Sequence, residues 1–337
     1  MRVLLDVMGG DRSPEELVKG GVSMGRRTGT EILFAGDPDV LASAFDASHV
    51  KTDGQFRILP SSDVICMDDS PVRAVREKKR SSLVLGLKAL RDGHADALVS
   101  PGNTGAIVAG SVFILGRTPG IPRPGILAAL PTVPGMDIHV IDVGANSDST
   151  PEQLLYHALM GATYVRDVMD VAQPTLGLLN IGSEEGKGSR LIRKTFSLLE
   201  ASRLPFVGNV EAHRVLVDRP VDVLVCDGFV GNVFLKSVEG GVAAVAQLLR
   251  RTIRGRVVAM LGALLMSGSI ARVKGTMSYR RRGGAPLLGV NGVVVIAHGR
   301  SDAMAIESAL DVARHQVNAN LLDRFSRGIS GWETDDH

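Results

Sequence analysis

Short runs of Val, Leu and Ile return from the second residue almost to the last, and most gaps between them carry the spacing of a helix. The runs cover 2–7, 31–36, 56–60, 95–100, 125–131, 137–143, 175–181, 205–209, 221–226 and 292–298. They lack the alternation of a strand with one wet face, so they predict strands buried on both sides. A chain built this way folds in three layers, α/β/α, with helices over both faces of a mainly parallel sheet. Runs 125–131 and 137–143 are the exception, because only a short Pro/Gly turn joins them. A turn cannot make a parallel crossover, so this pair is expected to be antiparallel and the sheet mixed.

Helix starts are marked locally. Ser13-Pro14-Glu15-Glu16 and Thr150-Pro151-Glu152-Gln153 each place a hydroxyl cap before Pro and an acid or amide three residues on. Near the end, Ile306, Leu310, Ala313, Val317 and Leu321 form one apolar helical face. No long linker or repeat divides the 337 residues. Residues 1–327 are therefore expected to form a single α/β domain, with a protruding segment at 250–282 and a frayed polar tail at 328–337.

Composition removes several function classes. Aromatic content is 4% and the formal charge is +2, which disfavours a nucleic-acid partner. Cys66 and Cys226 have no metal-ligand or disulfide spacing, so a reducing cytoplasm is the simplest setting. No signal core precedes the first strand, and no uninterrupted apolar run reaches the ~18 residues of a span. The expectation is a protein that is soluble or lies on a membrane surface.

Ligands of open α/β sheets sit beyond the carboxyl ends of strands. Six such ends here pair Gly with Asn or Asp: 6–11, 102–106, 142–146, 180–188, 208–211 and 227–232. Glycines let backbone amides approach an anion, and Asn side chains donate without adding charge. The pattern predicts an anion cleft poor in cations, with Lys187 the best-placed positive group. Two phosphate motifs fail. The 182–188 segment is one residue short of a P-loop and ends in Gly, and no Gly-x-Gly-x-x-Gly follows the first strand. Asp222 and Asp227 lack a third neighbouring ligand, so no metal is expected. Cys226 closes a buried strand and reads as core, which leaves no evident covalent nucleophile.

Met8-Gly9-Gly10-Asp11, Lys79-Arg80-Ser81-Ser82, Gly102-Asn103-Thr104-Gly105-Ala106 and Asp142-Val143-Gly144-Ala145-Asn146 stand in a recognisable order. So do Leu178 to Gly182, Gly186-Lys187-Gly188, Gly208-Asn209-Val210-Glu211, Asp227 to Asn232 and Gly283 to Gly289. Together they resemble the PlsX family, the acyl-carrier-protein:phosphate acyltransferases of bacterial phospholipid synthesis. The resemblance implies an isocitrate/isopropylmalate dehydrogenase-like fold, a homodimer and no organic cofactor. It implies transfer of a long acyl chain from acyl carrier protein to inorganic phosphate, and the lack of an evident nucleophile favours direct attack by bound phosphate without an acyl-enzyme. The acyl phosphate formed would feed a membrane glycerol-phosphate acyltransferase. Lys187 and Asn232 match the family's active-site positions. Asp6, Gly9, Gly10, Asp11, Gly102, Asn103, Thr104, Gly105, Asn146 and Asn180 are carried over as substrate contacts. Gly186, Gly188, Asn209, Glu211, Asp227, Gly228, Gly231, Gly283 and Gly284 complete that set. Pro101, Ala212 and Arg282 depart from the family's usual residues.

Arg250 to Arg282 contains nine basic residues and no acid, with apolar residues between the basic ends. It reads as a helical hairpin that serves a dimer interface, or meets anionic lipid or an acidic carrier, or does both. Arg250, Arg254, Leu261, Leu264, Leu265, Arg280, Arg281 and Arg282 are the expected contacts. The protein is then expected in the cytoplasm, peripherally bound to the inner face of the membrane. The alternatives are an NAD-dependent decarboxylating dehydrogenase on the same fold, and a non-catalytic docking module.

Overall fold

The computed structural model describes residues 1–50, 54–276 and 282–334. Eleven strands form the sheet: β1 (Arg2–Asp6), β2 (Glu31–Gly36), β3 (Phe56–Pro60), β4 (Ala97–Ser100), β5 (Gly125–Leu130) and β6 (Ile138–Ile141), then β7 (Leu176–Asn180), β8 (Phe206–Glu211), β9 (Val223–Val225), β10 (Ala285–Leu288) and β11 (Val293–Ile296). Their spatial order is β3-β2-β1-β4-β11-β10-β5-β6-β9-β7-β8. The mixed, mainly parallel sheet expected from the sequence is present, and β5–β6 is antiparallel, Leu127 facing Ile141.

One strand was not foreseen. β10 pairs antiparallel with both β11 and β5, so it joins the two halves of the sheet. Residues 285–288 fall outside the apolar runs of the sequence, which place no strand between 226 and 292. Four residues, Gly289 to Gly292, connect β10 to β11, and the Asn291-Gly292 pair within them is a hairpin signal.

Alternate residues of each strand enter different cores. Leu4, Leu98, Val294, Ile126, Val140 and Leu224 face one continuous cluster. That face is covered by α3 (Pro71–Glu77), α4 (Ser82–Arg91), α5 (Thr104–Ile114), α8 (Ala212–Asp218) and the start of α9 (Gly228–Ile253). The opposite face holds two clusters. Val3, Leu5 and Val295 meet α1 (Pro14–Thr28), α2 (Pro38–Ala47) and α12 (Ala303–Asn318). Leu127, Leu178 and Val223 meet α6 (Pro151–Asp167), α7 (Arg190–Ala201) and α13 (Leu321–Thr334). These are the three layers.

The two helix-start motifs behave differently. Thr150 and Gln153 form the complete reciprocal capping box of α6. Ser13 occupies the cap of α1 but its side chain makes no cap bond, and Glu16 Oε2 instead accepts from the amide of Ala303. At the other end, the expected frayed tail is helical as far as Thr334, because Leu321 and Phe325 anchor α13 in the α6 core.

Beyond its third turn α9 leaves the sheet and continues into α10 (Val257–Leu265) and α11 (Ser267–Thr276), which bury no side chain of α10. By length and mean hydropathy, 1.3 over its best window, α9 could cross a membrane. Gly228 and Gly231 are nevertheless buried against the loop after β6, which places its first turns inside the fold.

Candidate functional site

Strand direction divides the six expected loops into two sets. β1, β4 and β11 run one way; β6, β9, β7 and β8 run the other. Their carboxyl ends therefore lie at opposite sheet edges, not along one edge as the loop pattern had implied. One element links them. Four strand-to-strand steps separate β4 from β6, and the element that reaches from one set of strand ends toward the other is α9. Asn232 lies 3.7 Å from where a Cβ on Gly144 would project, at one edge. Lys236 and Glu239 act electrostatically on His298, at the other. Seven helical residues from Asn232 to Glu239 rise about 10 Å.

The first wall is organised by Asp6. Its fully buried carboxylate accepts from Ser82 Oγ at 2.6 Å, Ser100 Oγ at 2.7 Å and the Met8 amide at 3.2 Å. Burial raises its pKa, and these bonds oppose the rise without cancelling it. The following loop is drawn over the carboxylate: a Cβ on Gly9 would lie 2.7 Å from Asp6 Oδ2 and 2.8 Å from Gly102 Cα. Gly10 packs against Pro101, and the Asp11 amide donates to Gly299 O at 2.8 Å, leaving the Asp11 side chain exposed. Asn103 Oδ1 caps α5 at the Ala106 amide, while its Nδ2 donates to Met67 O at 3.0 Å and Asp69 O at 3.1 Å. Thr104 and Gly105 open α5, Gly105 against Pro71 of α3. Gly283 and Gly284 stand at the start of β10, beside the end of β11 and α12.

The second wall is organised by Asp142, also completely buried. Oδ1 accepts from the amides of Ile126, Gly144 and Ala145 at 2.9–3.0 Å. Oδ2 accepts from the Asn146 amide at 2.8 Å and Asn146 Nδ2 at 2.9 Å. The amides of the glycine loop are thus aimed at an internal carboxylate. Asn146 Nδ2 also donates to Pro124 O at 2.7 Å. α9 starts against this loop: Asp227 caps it by accepting from the Val230 amide at 3.0 Å. A Cβ on Gly231 would fall 1.9 Å from Asp142 O, so no other residue fits that contact. Cys226 donates from Sγ to Asp142 O at 3.3 Å, and burial, with Asp142 and Asp227 nearby, pushes its thiol well above the usual range. It is core, as the sequence implied.

Beyond β7, Asn180 Nδ2 donates to Lys187 O at 3.1 Å and its Oδ1 accepts from the Ile181 amide. Gly188 packs on the Asn180 carboxamide and Gly186 stands open. Asn209 Nδ2 donates to Glu184 O at 2.9 Å. Lys187 Nζ reaches Glu184 Oε1 only at 3.8 Å, both side chains more than half exposed. Glu211 lies 3.5 Å from His213. Nothing local in the sequence marks Ser82 and Ser100, whose hydroxyls reach across loops to Asp6, or Glu184, whose backbone carbonyl holds Asn209.

The asparagines therefore serve a different purpose from the one expected. Asn103, Asn146, Asn180 and Asn209 all use their amide hydrogens to hold loops. Asn232 is exposed, and its side chain makes no hydrogen bond among the described residues.

On the projecting helices, Leu261, Leu264 and Leu265 are 57%, 69% and 89% exposed, and Arg250 and Arg254 are exposed. Arg280 and Arg281 lie outside the described residues. Arg282 departs from the expected surface role. Its Nε and Nη2 donate to Asp137 Oδ1 at 2.9 and 2.7 Å and its Nη1 to Thr276 O, so its charge is matched internally.

A model of the fatty acid synthesis protein family matches residues 1–324. The phosphate acyltransferase of Heliobacterium modesticaldum is 43% identical over 331 residues, covering 98% of each chain. In fold, the chain is similar to a phosphotransacetylase from Streptococcus pyogenes, with a TM-score of 0.64 at 15% identity over 94% of each chain. It is also similar to a 4-hydroxythreonine-4-phosphate dehydrogenase from Klebsiella pneumoniae, with a TM-score of 0.54 at 12% identity over 94% of this chain and 99% of that one.

Proposed function

The chain belongs to the PlsX family of phosphate acyltransferases, and on that premise we propose that it moves a long-chain fatty acyl group from acyl carrier protein to inorganic phosphate. The observation that carries this reading is which polar groups the fold leaves unused. Four of the five candidate asparagines are tied into loops, whereas Asn232 and Lys187, the two positions matched to the family's active site, still present polar hydrogens to solvent. One oxygen of bound phosphate attacks the thioester carbonyl carbon, the C–O bond forms as the C–S bond breaks, and the carrier leaves as thiolate. Lys187 holds the phosphate in place of its loose Glu184 partner. Asn232 Nδ2 donates to the oxyanion that forms. Phosphate dianion is already nucleophilic near neutral pH, and the buried Cys226 supports direct attack over an acyl-enzyme. The dehydrogenase alternative gives way to family membership.

Mass spectrometry of acyl-carrier-protein thioester mixed with phosphate and enzyme should find an acyl phosphate. Lys187→Ala should lower turnover by ~10²–10³, roughly 3–4 kcal/mol, without loss of fold. A folded Lys187→Ala enzyme of normal turnover removes Lys187 from the site.

The product, an acyl phosphate, suits a membrane glycerol-phosphate acyltransferase in phospholipid synthesis. The exposed apolar faces of α9 and α10 supply a homodimer contact and a peripheral hold on the inner face of the membrane. Leu261→Glu with Leu265→Glu should abolish the high-salt residue of vesicle co-sedimentation. Unchanged binding of that double variant would leave these leucines to the dimer alone.

A further inference from the structure

Lys79 and Arg80, within one of the family-like motifs, have no part in the site described above. Lys79 lies at the end of α3 and lines a surface cleft of about 510 Å³ between α3, α4 and α5. The cleft carries Arg76, Lys79 and Lys88 above an apolar floor of Val84, Phe113 and Ile114, and no acid lines it. Phe113 is 53% exposed, and the Arg76 guanidinium stands 5.4 Å over its ring. Nearby acids are already matched: Glu77 with Arg73, Asp69 with Lys78, Asp92 with Arg91. Arg76, Lys79 and Lys88 have no ion pair among the described residues. The groove thus offers three cations without an ion pair around an exposed aromatic ring.

We infer that this groove docks the acidic, helical protein that carries the acyl thioester, an inference resting on the function proposed above. Charge complementarity selects the partner: a helix with acids one turn apart and an apolar residue between them would meet Arg76 on α3, Lys79 just beyond its end, Lys88 on α4, and Phe113 beneath. The position fits delivery. α4 begins at Ser82, which bonds Asp6 in the first wall. Lys88 is six helical residues farther, about 9 Å. α5 runs from the Asn103 cap in the same wall to Phe113. A carrier seated here stands beside the cleft while its acyl arm reaches in. The exposed leucines of α10 are a separate, apolar surface suited to lipid.

The test is Lys79→Glu with Lys88→Glu in the full chain. Two donors are compared with phosphate as acceptor, an acyl-carrier-protein thioester and a carrier-free acyl N-acetylcysteamine thioester. Fluorescence anisotropy separately measures binding of the unacylated carrier. The expected result is a kcat/KM lower by tenfold or more with the carrier donor, a flattened salt dependence, and carrier binding weakened to match. Turnover of the carrier-free donor should be unchanged. Equal losses with both donors, unchanged carrier binding, or lost binding to anionic vesicles with carrier binding intact would each overturn the docking assignment. If the unmodified enzyme forms no acyl phosphate from either donor, the proposed function fails. The anisotropy arm still decides whether the groove binds the carrier.

Discussion

Asp6 and Asp142 are both buried carboxylates at the end of a strand, each with a glycine loop drawn over it, yet their surroundings differ in one respect. Asp6 is held mainly by hydroxyls, from Ser82 and Ser100, with the Met8 amide. Asp142 is held only by N–H groups, four backbone amides and the Asn146 carboxamide. A hydroxyl can turn from donor to acceptor, and an N–H cannot. The first wall can therefore accept a neutral amide at its centre, and the second cannot.

Asp142→Asn tests the difference at its largest. Its new NH₂ faces N–H donors whichever way the side chain flips, leaving buried donors unmatched and the 142–146 loop without its anchor. A loss of about 3 kcal/mol or more is expected in urea unfolding. A loss below about 1 kcal/mol would mean that the loop has another anchor. Asn232→Asp should come next and fall on activity. The change puts an anion beside the phosphate and removes a donor, so turnover should drop about 10²-fold while the unfolding midpoint stays fixed. Asn146→Ala should do the reverse and lower stability, because its amide joins Asp142 to Pro124 O. If both variants behave alike, the division between structural and free amides is wrong.

Asp6→Asn should have the smallest effect, about 1 kcal/mol or less at neutral pH, since the serine hydroxyls can reorient. It also carries a pH signature. Burial raises the folded pKa of Asp6 above its ordinary 3.8, so the folded state takes up a proton before the unfolded one does. The contribution of Asp6 to stability therefore falls as pH rises from 3.8 through the folded pKa, and is regained on acidification. Stability of the unmodified protein minus that of Asp6→Asn should grow as pH drops from 7 toward 4. A difference that shrinks would assign Asp6 the opposite shift.

Local pattern was enough for the layers. Strands buried on both faces read as unbroken apolar runs, and the Thr150–Gln153 box closes on itself within four residues, so neither needs information from a distant part of the chain. The same holds for Cys226, whose place at the end of an apolar strand already implied burial. β10 was missed although Asn291-Gly292 marked its turn, because Gly283, Gly284 and Pro286 read as loop.

The loops were legible as ligand-like, but not the tasks of their side chains. Whether an asparagine faces a ligand or a carbonyl depends on which distant acceptor the fold brings near: Met67 O for Asn103, Pro124 O for Asn146, Glu184 O for Asn209. Arg282 shows the same limit, for its partner Asp137 is 145 positions away. Strand direction set the sharpest one. Six similar loops look equivalent along the chain, but the reversal through β10, β5 and β6 sends them to opposite ends of the strands, and α9 is the element that reaches from one set toward the other. Sequence determined most of the strands, helices and loops, β10 and the end of α13 excepted, because those choices rest mainly on neighbouring residues. Tertiary structure decided which donors stay free, because a buried donor takes whatever acceptor the packing supplies.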